Sequence, residues 1–191
     1  MSVPSYPVHT IEAAPAASRP LLEQARATYG LVPNLLAVLS SAPPVLEAYL
    51  TLQKLFAASS LSSVEQQVVL LTVSTDNVCT YCMAAHTLMA GTQGVDPAVL
   101  EAIRASGSLE DPRLEALRAF TQAVVQSRGW PSQDVQEGFL AAGYGEVQVL
   151  EVVLGVAFKT LSNYANHLTG TPLDPMFEAT RWSAGDGVAD G

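Results

Sequence analysis

The residues best equipped for chemistry stand in one short stretch, Asn77-Val-Cys79-Thr-Tyr-Cys82-Met-Ala-Ala-His86. On a helix advancing about 100° per residue, Cys79, Cys82 and His86 fall within an arc of roughly 60°, so two thiols and an imidazole share one surface. A Cys-x-x-Cys pair closes to a disulfide with little motion when its first member sits in the opening turn of a helix, where free N–H groups and the helix dipole also favour the thiolate. His86, one turn beyond Cys82, is placed to take or supply a proton as that thiol ionises. Such a site suits peroxide reduction: a thiolate attacks the O–O bond, becomes a sulfenic acid, and the neighbouring thiol condenses with it to a disulfide. Two plainer readings stand beside this one. The cysteines serve as small hydrophobes on a buried helix face, or they bind zinc, for which three ligands within two turns of one helix need a fourth from a partner chain or from His167.

The elements that must position these groups are helical throughout. Apolar spacing predicts a helix over Leu21–Tyr29 with Gly30 as its stop, another over Pro33–Leu39, and a third after Pro43-Pro44 that runs to Phe56. Ser62 or Ser63 caps a helix from Val64 toward Thr75, with Glu65 and Gln66 in its first turn, and the dithiol helix follows from about Val78 to Met89. Asp96-Pro97, Asp111-Pro112 and Pro131 open further helices, and Glu146 begins a long one ending near Gly170. No alternating apolar run argues for a strand, so the fold class is all-α. Residues 1–18 read as an extended N-terminal arm, 19–182 as a single domain and 183–191 as a flexible tail.

Composition bounds the function. The chain has 191 residues, 49% of them hydrophobic and only 14% charged, well below the roughly 25% charged share of ordinary soluble domains. So apolar a surface implies that part of it is covered by another subunit, and a homo-oligomer is expected. A formal net charge of −9 makes nucleic acid and anionic membranes poor partners. No apolar run approaches the roughly 20 residues of a membrane span, and the N-terminus lacks the pattern of a secretory signal, so a cytoplasmic location is expected. Two cysteines are too few for a disulfide scaffold and fit redox work instead. Nothing in the pattern asks for a bound cofactor or a resident metal.

The stretch from Leu61 through Glu65, Gln67, Cys79 and Cys82 to His86 resembles the signature of the carboxymuconolactone decarboxylase superfamily, specifically its AhpD-like alkylhydroperoxidase branch. The resemblance implies a helical bundle assembled as trimers or hexamers and the reduction of organic hydroperoxides by the Cys-x-x-Cys pair, an antioxidant activity. It implies Cys82 as the peroxide-attacking thiol, Cys79 as the resolving one and His86 in the proton relay. The disulfide is then reduced by an external dithiol, a lipoyl-protein or a thioredoxin-type partner. One departure stands out. The relay commonly includes a Glu twelve residues before the first Cys, and that position holds Gln67, which cannot exchange a proton. Glu65 lies about 200° away around the helix; it is a candidate relay acid through water or a bend, or else a first-turn charge that complements the dipole.

A shift of 81 residues sets Glu65 on Glu146, Gln67 on Gln148 and His86 on His167, which predicts two similar helix hairpins of which the first kept its thiols. His167, with Asn163, Tyr164 and Asn166, either lines the same cavity or satisfies polar needs along a buried helix. Tyr81 points off the cysteine face and is expected to pack. Two other functions stay open: a decarboxylase-type lyase, which has no need of a Cys-x-x-Cys, and a non-enzymatic redox-sensing oligomer.

Overall fold

The computed structural model describes residues 6–184, and all regular structure there is helical. α1 spans Arg19–Tyr29, α2 Asn34–Leu39, α3 Pro43–Ala57, α4 Ser63–Asp76, α5 Thr80–Thr92, α6 Pro97–Arg104, α7 Pro112–Gln126, α8 Gln133–Ala141 and α9 Glu146–Thr169. A 3₁₀ helix at Pro175–Thr180, which apolar periodicity is too short to reveal, closes the described chain. Gly30 and Gly170 end α1 and α9 in left-handed conformations, at φ of 79° and 60°, as stop signals should. The arm is less extended than its composition predicts. Ile11, Ala14 and Ser18 are buried, and the Ser18 hydroxyl donates to the Ser40 carbonyl at 2.8 Å, so the chain from Ile11 onward docks on α2 and its end. Of the expected tail, residues 185–191 lie outside the described residues.

α4 is the central element. Residues Gln67 through Ser74 are buried without a solvent face, except that Gln66 before them is half-buried, and the helix packs against α5, α7 and α9. Its start is the predicted one: the Ser62 hydroxyl accepts from the Glu65 backbone N–H while the Glu65 carboxylate accepts from the Ser62 N–H at 2.8 Å, a reciprocal capping box. Its end is unexpected. Val78 sits at φ 55°, a conformation a β-branched residue adopts only under strain. The Val78 N–H donates to the Thr75 carbonyl (2.9 Å) and the Cys79 N–H to the Ser74 carbonyl (2.8 Å), which closes α4 in a Schellman motif with valine where glycine is usual. α5 therefore begins at Thr80 rather than Val78, and Cys79 is its N-cap residue, extended at φ −87°, ψ 94°.

α9 corrects a second expectation. The segment matched to the α4–α5 hairpin is one uninterrupted helix of 24 residues, so the two similar hairpins do not exist. The match places Phe158 and Lys159 where Asn77 and Val78 break the first pair, and neither residue stops a helix. α9 lies against α3 and α4 at Gly155, where a Cβ would stand 2.7 Å from both Phe56 Cε2 and Val69 Cγ1. Its far side leaves Val147, Leu150, Val153, Tyr164 and Leu168 exposed. Among the described residues, no single helix is long and apolar enough to cross a membrane.

Candidate active site

The α4 stop and the α5 start together place the dithiol. With Cys79 at the N-cap and Cys82 in the first turn, both side chains turn to the same corner of the helix, although Cys79 does not belong to the helical arc that its spacing predicts. Both are free thiols and both are buried, Cys79 at 0% and Cys82 at 1% exposure. α9 covers them. The Asn166 side-chain amide donates to Cys82 Sγ at 3.2 Å and reaches Cys79 Sγ at 3.8 Å, and Ser162 Oγ lies 3.9 Å from Cys82 Sγ. Asn163 ties the same corner to the α4 stop, accepting from Asn77 Nδ2 at 3.0 Å.

His86 is buried one turn further along α5 and is held from both sides. Its Nδ1 lies 3.1 Å from Gln67 Oε1, and its Nε2 lies 2.9 Å from Lys159 Nζ. Gln67 donates its own amide to Gln93 Oε1 at 3.1 Å, which leaves Oε1 to accept, so the network assigns the imidazole hydrogen to Nδ1 and a bare lone pair to Nε2. Burial first, and the Lys159 charge second, hold His86 well below the usual histidine range, so it is neutral. Burial pushes the Cys82 thiol up, but its contact with Cys79 and the charge of Lys159 outweigh that and hold it well below the usual thiol range. Cys79 moves the opposite way, raised by its hydrogen bond to Cys82 and then by burial and the Cys82 charge. Two identical groups three residues apart are thus driven to different jobs.

A pocket of about 220 Å³ opens onto this corner. Cys82, His86 and Lys159 form its reactive wall, and Cys79 is not among its lining residues. Leu35 and Leu36 of α2, Tyr49 of α3, Ala85 and Met89 of α5, and Phe177 make the rest largely aromatic and aliphatic. Tyr81 also touches it, but its hydroxyl donates to Asp174 Oδ2 at 2.6 Å and its ring packs edge-on to Phe177, the structural role expected of it. Asp174 in turn accepts from the Asn34 N–H, and so pins the last segment over α2 and α5.

Of the four candidate site residues, the structure brings together Cys79, Cys82 and His86. Glu65 stands apart at the start of α4, its carboxylate taken by the Ser62 N–H, by the Tyr144 hydroxyl at 3.0 Å and by Arg113 at 3.0 Å. The second polar cluster divides in the same way: Asn163 and Asn166 face the thiols, whereas Tyr164 and His167 are exposed, their rings 6.4 Å apart. Sequence reasoning missed Lys159. The signal was present, since it is one of two lysines in the chain and follows the apolar run Val152-Val-Leu-Gly-Val-Ala-Phe.

The geometry has counterparts. A model of the carboxymuconolactone decarboxylase family matches residues 43–123, which run from α3 through the dithiol helix into α7. Over those residues, less than half of its length, the chain is similar to that family. No curated protein matches it. Among solved structures it is similar to an alkylhydroperoxidase AhpD core, an uncharacterized peroxidase-related protein from Ralstonia eutropha JMP134, at 21% identity and a TM-score of 0.80, over 93% of this chain and 95% of that one. An uncharacterized peroxidase-related protein from Silicibacter sp. TM1040 superposes at 18% identity and a TM-score of 0.77, over 93% and 94%. A Cys-to-Ala variant of the debrominase Bmp8, in complex with 2,3,4-tribromopyrrole, matches at 17% identity and a TM-score of 0.77, over 94% and 96%. At these identities the likeness establishes the AhpD-like fold, and the debrominase shows that the fold carries more than one activity.

Proposed function

We propose that this protein is a dithiol oxidoreductase that reduces organic hydroperoxides. The observation that carries the reading is the division of labour within the pair: Cys82 opens onto an apolar pocket beside His86, while Cys79 is buried behind it on the same Asn166 amide. Cys82 thiolate attacks the hydroperoxide, the O–O bond breaks, and the alcohol leaves with a proton while the sulfur becomes a sulfenic acid. Cys79 then attacks that sulfur, the S–O bond breaks, water departs with the Cys79 proton, and the disulfide holds the two electrons given up. The raised Cys79 suits this order. It stays a thiol while Cys82 is negative and is released once oxidation removes that charge. His86, with Gln67 fixing its tautomer, presents a bare Nε2 lone pair to Lys159, where a proton in transit is accepted. Exchange with an external dithiol of the lipoyl or thioredoxin type restores the pair.

The aromatic pocket and the debrominase likeness favour one second reading, reductive dehalogenation of a halogenated aromatic, in which a C–Br bond becomes C–H, bromide leaves, and the same disulfide forms. Turnover assays with a dithiol reductant separate the two. With cumene hydroperoxide, Cys82→Ser abolishes consumption, and Cys79→Ser stops after one turnover at a Cys82 sulfenic acid that dimedone traps. Debromination of a bromopyrrole without hydroperoxide consumption selects the second reading instead.

A further inference from the structure

Lys159 is 1% exposed, as deeply buried as the core phenylalanines around it. Among the described residues, no carboxylate lies within ion-pair distance of it. Its Nζ lies 2.9 Å from His86 Nε2 and 5.5 Å from the centre of the Phe158 ring. An ammonium in such a place is costly unless an anion answers it. Of the groups that share its pocket or feel its charge, α3 presents Tyr49 and α5 presents Cys79, Cys82 and His86. His86 is neutral and offers only a lone pair, and burial pushes the Tyr49 phenol up, so it keeps its proton. Cys82 is the group left to supply a negative charge, and it shares the pocket wall with Lys159. Gln67, on the other side of His86, is a neutral amide and supplies no carboxylate to neutralise the positive charge.

We propose that in the reduced protein Lys159 is an ammonium paired with a Cys82 thiolate, a buried ion pair that forms the charged element of the site. Under the peroxidase reading, on which this step alone rests, the departing alkoxide takes its proton from Lys159 as the O–O bond breaks. The Cys79 proton later leaves with the water formed on disulfide closure. The oxidised state is then a neutral amine beside a neutral disulfide. Neither state leaves an unanswered charge in the core.

The test is a pH titration of thiolate absorbance at 240 nm on the reduced protein, with Cys82→Ser as the blank. The parent protein is expected to show one thiolate at pH 7 that the blank lacks. Lys159→Met moves that ionisation up by about 1–3 pH units, the usual effect of losing an adjacent opposite charge, and slows thiol loss to cumene hydroperoxide at pH 7 at least tenfold. Lys159→Arg, which keeps the charge, holds the ionisation near its parent position. Absence of any thiolate in the parent at pH 7 overturns the proposal without need of a folded Lys159 variant, and so does a thiolate that persists unmoved in folded Lys159→Met. Should the absorbance results hold while the parent fails to consume hydroperoxide, the ion pair stands and the peroxidase reading falls.

Discussion

Glu65 joins three elements through one carboxylate. It accepts from the Ser62 N–H at the start of α4, from the Tyr144 hydroxyl before α9, and from Arg113 in the first turn of α7. Arg113 also lies over the Tyr144 ring, 4.5 Å from its centroid. Burial pushes the Glu65 carboxyl up, yet the Ser62, Tyr144 and Arg113 contacts together hold it below the usual carboxylate range. A depressed native pKa stabilises the fold above the unfolded value of about 4.3, and that contribution is lost as pH falls through the lower native value. Glu65→Gln is therefore expected to cost about 1–2 kcal/mol in urea unfolding at pH 7, with the difference shrinking toward pH 3 and hydroperoxide chemistry unchanged. His86 pulls the same way at higher pH: a neutral native imidazole must gain a proton on unfolding, so its contribution falls as pH drops below about 6.5. At this scale the residue types and spacing of the dithiol corner were legible in the sequence, but not whom each residue meets. Glu65 finds Tyr144 79 residues away, and His86 finds Lys159 73 residues away; no local pattern encodes either meeting.

At the scale of elements, the helix starts and stops written in Ser, Asp, Pro and Gly were legible, and the stop without such a residue was not. Val78 ends α4 in the left-handed region against its own preference, because the Schellman bonds and the packing of α5 on α4 over-determine the turn. That stop is what moves Cys79 from the helix to its cap. α9 shows the converse. Its Gly155 looks like a weak point in a helix, since glycine there is about 1 kcal/mol worse than alanine on propensity. Contact with Phe56 and Val69 reverses the sign. Gly155→Ala is expected to destabilise the protein by about 1–3 kcal/mol through overpacking, seen as a lower urea midpoint, whereas the same exchange at exposed Gly138 lacks that clash. Because α9 carries Lys159, Ser162, Asn163 and Asn166 over the thiols, any shift that relieves the clash is expected to slow thiol oxidation as well.

Taken whole, the molecule is a helical frame that buries a dithiol and opens one side of it. Among the described residues the all-α class is as composition and periodicity predict, and the scarcity of charge has a visible counterpart in the exposed apolar residues of α9. The pocket was not legible, because its walls come from α2, α3, α5, α9 and the final 3₁₀ turn, segments joined only by folding. In that enclosure Cys82 lines the pocket, and Cys79, fully buried, does not. The proposed chemistry requires the pair to give up two electrons as a unit. The most direct measurement is a thiol count on the fully reduced protein, followed in time after one equivalent of cumene hydroperoxide. Both thiols are expected to disappear together, with one alcohol formed and no sulfinic acid. Persistence of both thiols for hours in the folded protein would contradict the proposed chemistry.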